Sequence, residues 1–82
     1  QEFLTRILEY GSPRALVLKS ADRISNMISL GYTTDTAFVR RYCDETERFV
    51  FPIADKANKT MLAELVELVA TRRDYLARCF EI

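Results

Sequence analysis

The stretch Pro13-Arg14-Ala15-Leu16-Val17-Leu18-Lys19-Ser20-Ala21-Asp22-Arg23-Ile24-Ser25-Asn26-Met27-Ile28-Ser29-Leu30 decides the fold class. Its apolar residues recur three and four positions apart, the period of an α-helix, and no run within it alternates as a strand would. Ser12 stands just ahead, where its hydroxyl can accept from an orphan amide of the first turn, and Pro13 suits the first helical position because its missing N–H is not needed there. Gly31 follows as a stop. These signals predict a helix from Pro13 to about Leu30. Leu16, Val17, Leu18, Ala21, Ile24, Met27, Ile28 and Leu30 cover most of its circumference, a distribution expected of a helix enclosed by others.

Upstream, Phe3, Leu4, Ile7 and Leu8 form an apolar stripe, and Gly11 after Tyr10 predicts a left-handed cap closing a first helix near Tyr10. No Met and no capping side chain precede Gln1, so this helix is expected to start before the sequence given, as in a piece of a longer protein. Downstream, Thr33 and Thr34 are the expected cap of a third helix, with Phe38, Tyr42, Phe49 and Ile53 on its buried face. Arg40/Asp44, Arg41/Glu45 and Asp44/Arg48 are expected as i,i+4 pairs on its outer face. Pro52 lies inside this pattern. It lacks the amide that would bond the Arg48 carbonyl, which predicts a kink or break. Asn58 to Thr60 supply the next cap, and Met61, Leu62, Leu65, Val66, Leu68, Val69, Leu76 and Phe80 predict a long amphipathic helix with Glu64, Glu67, Thr71, Asp74 and Arg78 on its wet side. The expected fold is all-α, a bundle of about four helices.

The chain has 82 residues, 49% of them hydrophobic, with two glycines and two prolines, which predicts one small globular domain. Twelve basic residues balance twelve acidic ones. Without a basic excess the sequence-independent attraction to phosphate backbones is missing, so nucleic acid is not an expected partner. The longest apolar runs, Ala15 to Leu18 and Phe49 to Ala54, are far shorter than the roughly 20 residues a membrane helix needs. No secretory signal is visible, and the cytoplasm is the expected compartment. Cys43 and Cys79 form no CxxC and sit in apolar surroundings, as free buried thiols do. Histidine is absent, which excludes any self-contained mechanism that needs an imidazole base or ligand.

Chemistry therefore rests on the polar residues of the second helix. Lys19, Asp22, Asn26 and Ser29 share one stripe at helical spacing. Asp22 either faces a wet cleft or is paired inside the protein, because an ionised carboxylate buried alone costs several kcal/mol; a merely solvated face is the plain alternative. Arg23, rotated by about 100° from it, meets a different neighbour. One carboxylate does not make a metal site, since hard cations need several donors around them.

The run Leu18-Lys19-Ser20-Ala21-Asp22-Arg23-Ile24-Ser25-Asn26-Met27-Ile28-Ser29-Leu30 resembles the K-[LA]-ADR-L-x-N-M-x-x-L helix of HD-domain phosphohydrolases of the RelA/SpoT type. Glu45-Thr46-Glu47-Arg48-Phe49-Val50-Phe51-Pro52-Ile53-Ala54-Asp55-Lys56 is similar to that family's E-T-x-x-x-Y-x-P-[IL]-A-x-[KR] helix, internal proline included. The likeness spans about Gly11 to Ala57, with Leu8 to Ala15 fitting the family's run-up.

This resemblance implies a partial HD-domain fold and hydrolysis of the 3′-pyrophosphate from guanosine tetraphosphate and pentaphosphate. It implies a divalent metal, usually manganese, held by an early His, a His-Asp pair and a later Asp that Asp22 matches. Such a metal would lower the pKa of a bound water. Asn26 and Ser29 match positions lining the guanine nucleotide pocket, and Arg23 matches a buried arginine that braces the site by ion pairing. The early ligands would fall before Gln1, on N-terminal helices of the same protein, so the chain as given is not a complete hydrolase. Ser25 stands where the family often has His. After Lys56 the family often continues Leu-Gly into a synthetase domain, and Ala57-Asn58-Lys59 departs from that, so no synthetase activity is implied. Two other readings compete: a degenerate module serving regulation, nucleotide binding or homodimerisation, and a purely structural bundle in which Asp22 makes an internal ion pair with Arg23 or Lys19 neighbours.

Overall fold

In the computed structural model, which describes residues 2–30 and 35–80, with the side chains of residues 79 and 80 outside that description, every element is helical. The helices are α1 (Glu2–Tyr10), α2 (Pro13–Ser29), α3 (Thr36–Glu45), α4 (Phe51–Ala57) and α5 (Lys59–Phe80), with a π turn, Thr46–Val50, between α3 and α4. Because α3, the π turn and α4 run on without a break, the described residues make four rods, as expected. No helix is long and apolar enough to cross a membrane among the described residues.

Local chemistry accounts for most boundaries. Ser12 caps α2 by accepting from the Ala15 amide, with Pro13 at the first position. Asn58 caps α5 by accepting from the amides of Thr60 and Met61. The cap of α3 is Asp35, which accepts from the Phe38 amide; the expected caps Thr33 and Thr34, and the expected stop Gly31, lie outside the described residues. Gly11 is not in the left-handed conformation. Its amide still bonds the Ile7 carbonyl at 2.9 Å, and a Cβ there would stand 2.4 Å from that same oxygen. Glycine is needed for close approach, not for handedness.

Pro52 produces neither a break nor a plain kink. Ahead of it the Phe51 amide reaches back to the Thr46 carbonyl, five residues away instead of four. The widened turn lets the proline ring clear the preceding carbonyls, and Pro52 then sits in the first turn of α4, where its missing amide is harmless.

One core joins all the rods: Leu4 from α1, Leu16, Met27 and Leu30 from α2, Val39, Cys43, Val50, Ile53 and Ala54 from the third rod, and Leu65, Val69 and Leu76 from α5. The third rod's buried line is Val39, Cys43, Thr46 and Val50, running on into Ile53 and Ala54. The expected face led by aromatic residues is corrected accordingly. Phe38 is 41% exposed and stacks on half-buried Tyr42 at the edge of that line, with ring centroids 5.6 Å apart. On α5, Val66 is also outside the core, at 46% exposure. The side chains of Cys79 and Phe80, expected inside, lie outside the described residues.

The second helix is not enclosed. Its buried line is Leu16, Ser20, Arg23, Met27 and Leu30, whereas Val17, Leu18 and Ile28 are exposed. α2 is amphipathic, and two of its inward residues are polar. Ser20 satisfies its hydroxyl by donating to the Leu16 carbonyl at 2.9 Å, the way a buried serine is tolerated in a helix.

Candidate functional site: the two faces of the second helix

Arg23 is 4% exposed and points into the junction of α3 and the π turn. One guanidinium nitrogen donates to Glu45 Oε1 at 2.9 Å and the other to Thr46 Oγ1 at 3.3 Å. The Tyr42 ring lies against the guanidinium, its centroid 4.3 Å from Cζ. Thr46 Oγ1, itself buried, donates to the Tyr42 carbonyl at 2.7 Å and so can accept from Arg23. Nε of Arg23 is buried with no hydrogen-bond partner among the described residues. A charge enclosed by one carboxylate, one hydroxyl and one ring face is neutralised but not saturated, and that makes its position sensitive to each partner.

This junction redistributes the charge pairs expected along α3. Glu45 goes to Arg23, and Asp44 goes to Arg73 of α5 at 3.0 Å, with Glu47 at 2.9 Å from the same guanidinium. Burial works to lower the Arg73 pKa, but the hydrogen bonds and charges of Asp44 and Glu47 outweigh it and raise it. Cys43 lies beneath this network, fully enclosed, and burial pushes its thiol up.

The other face of α2 carries the remaining expected site residues. Asp22 is exposed, with Lys19 Nζ 3.6 Å from its Oδ2 and the Asn26 amide donating to that oxygen at 3.5 Å. Lys19 also lies over the Phe3 ring, 5.6 Å from its centroid. Ser29 is exposed and donates to the Ser25 carbonyl at 3.2 Å. Asp22 stands on an open, solvated face, the plain alternative, and in neither a wet cleft nor a buried pair, with exposed Leu18 close by on the same side of the helix.

Asp22, Asn26 and Lys19 are therefore brought together, Arg23 is turned about 100° from Asp22 onto the neighbouring, buried face of α2, and Ser29 lies one turn beyond Asn26. Among the described residues no group of three His, Cys, Asp or Glu could hold a metal ion. Asp22 offers a single carboxylate with an ammonium beside it. The residues present do not fit a divalent ion by themselves, so no chemical step is derived through one.

Sequence reasoning missed Glu45, Thr46 and Ser20 as participants. Arg23 as the one charge in the line Leu16, Ser20, Arg23 and Met27, of spacing four, three and four, was the available signal, because a lone charge in such a line requires a partner. Neither a scan against protein families nor a search of curated proteins returns a match to this chain.

Proposed function

We propose that this chain is the C-terminal part of an HD-type, metal-dependent phosphohydrolase that releases pyrophosphate from guanosine tetraphosphate and pentaphosphate in the cytoplasm. The observation supporting this reading is the contact between the two stretches that resemble the family's motifs. Arg23 of Ala21-Asp22-Arg23 meets Glu45-Thr46, the opening of the second stretch, at 2.9 and 3.3 Å. Two segments more than twenty positions apart are joined through the residues that carry the likeness. Fold alone would not license the activity.

On this reading Asp22 contributes one carboxylate to a metal site whose other ligands lie on N-terminal helices outside this sequence, and those helices cover the exposed face of α2. Asn26 and Ser29 line the guanine nucleotide pocket with orienting hydrogen bonds. Arg23 holds α2 in rotation through Glu45 and Thr46. Lys19 must release Asp22 when a metal is bound.

The deciding measurement is phosphate release from guanosine tetraphosphate with manganese, using the full-length protein that carries this chain. Asp22→Asn is expected to abolish turnover with its helical circular dichroism unchanged, since an amide of the same shape cannot supply the ligand's charge. Asn26→Ala is expected to raise KM more than it lowers kcat. Turnover that survives Asp22→Asn, or a wild-type protein without turnover, removes the hydrolase reading.

A second reading, a non-catalytic helical module for regulation, nucleotide binding or homodimerisation, is favoured by the Lys19–Asp22 ion pair, which leaves the carboxylate occupied within the chain. It predicts nucleotide binding or self-association without manganese-dependent turnover.

A further inference from the structure

The last carbonyls of a helix have no partners of their own and are usually met by water or by a left-handed residue that folds back over the end. The end of α2 is described as far as Leu30. Leu30 closes it in right-handed conformation, with φ −59° and ψ −20°. Its amide bonds the Asn26 carbonyl and also that of Ile28, and the Ser29 hydroxyl donates to the Ser25 carbonyl. The carbonyls of Met27 and Ile28 also accept from outside the helix: Arg72 of α5 donates to Met27 O through Nε at 3.1 Å and to Ile28 O through Nη2 at 3.3 Å. A half-buried guanidinium from a distant helix is the terminal clamp of α2. Its positive charge also suits the negative end of the helix dipole.

The clamped turn is the one that carries Asn26 and Ser29. Resting on the proposed hydrolase reading, we infer that Arg72 is a positioning residue for the nucleotide-binding end of α2, holding Asn26 and Ser29 in place without touching the ligand. The division of labour along the helix is spatial. Arg23 fixes the middle of α2, where Asp22 stands, and Arg72 fixes its end. Loss of Arg72 removes the donors it brings to two carbonyls and loosens the last turn, so the pocket-lining groups lose their fixed direction while Asp22 keeps its own.

The test compares Arg72→Met, Arg72→Lys and Arg73→Met in the full-length protein that carries this chain, with kcat, KM for guanosine tetraphosphate and melting temperature measured for each. Arg73 is the control on the same helix, since it bridges Asp44 and Glu47 and has no bond to α2 among those the structure gives it. Arg72→Met is expected to raise KM about tenfold with kcat within about twofold, a size typical of slight misplacement of binding groups. Arg72→Lys, able to reach one carbonyl, recovers part of that loss, and Arg73→Met lowers the melting temperature without moving KM. An unchanged KM in Arg72→Met, or KM rises in both Met variants that track the melting temperature, overturns the positioning role and leaves the hydrolase reading standing. A wild-type protein that neither binds nor turns over guanosine tetraphosphate removes the hydrolase reading, and the positioning role falls with it.

Discussion

On the inward face of α2, Arg23 is almost fully enclosed and meets a carboxylate, a hydroxyl and an aromatic ring, whereas one residue earlier Asp22 stands in the open beside Lys19 and Asn26. Both residues are ion-paired, yet the pairs differ in kind. The inner pair joins two helices across 22 positions at 2.9 Å, and its arginine is shielded from water; the outer one spans a single turn at 3.6 Å, and water screens it. A short sequence motif can thus combine a packing residue with a surface residue, and each must be judged by its own surroundings.

The largest effect that sharpens this contrast is expected from Glu45→Ala. It strands the enclosed guanidinium, and urea denaturation should show a loss of about 2 to 3 kcal/mol. That is below the 3–5 kcal/mol typical of fully buried pairs, because the Glu45 side chain is 33% exposed. Arg23→Met in the same background should recover part of the loss, since it removes the stranded charge and keeps the stem. If the double variant is no more stable than Glu45→Ala, the inner pair is no different in kind from the outer one.

A smaller effect concerns Cys43, which shares the inner region. Burial raises its pKa above the ordinary value of 9.0. The unfolded chain therefore loses this proton first as pH rises, and stability falls between the ordinary value and the raised one. Denaturation midpoints measured from pH 7 to pH 10 should decline above about pH 9, and Cys43→Ala should flatten part of that decline. The smallest effect is on the outer face. Lys19→Met and Asp22→Asn should each change stability by no more than about 0.5 kcal/mol, the usual worth of an exposed pair. A larger loss would mean that the outer pair organises structure.

The parts of the fold that local rules reach were legible. Ser12 with Pro13, Asn58, and the irregularity at Pro52 each depend on atoms a few residues apart, and so does the helical period that made the class plain. The Pro52 irregularity took the form of a widened turn because the core demanded continuity between Val50 and Ile53. What local rules cannot reach was missed. The partners of Arg23 and of Met27 O come from positions 22 and 45 residues away, and only tertiary packing brings them close. Aromatic weight misled the reading of the third rod, where Thr46 and Cys43 lie deeper than Phe38 or Phe49. Asp22, Asn26 and Lys19 were legible as a cluster by spacing, but whether that stripe lay inside or outside could not be read from an apolar distribution that the structure leaves half uncovered.

Lys56 of α4 donates to the Leu8 carbonyl near the end of α1, and Arg72 of α5 does the same at the end of α2, across 48 and 45 positions. A chain emerging from the ribosome exposes α1 and α2 well before either cation is available. Both helices then end in carbonyls met by water alone, and short helices without tertiary support are marginal in water. Synthesis alone cannot complete the early half; it waits for the late half to dock. A ribosome stalled before residue 72 should therefore present α2 to proteases at its C-terminal turn first, with cleavage near Ile28 suppressed once α5 has cleared the exit tunnel.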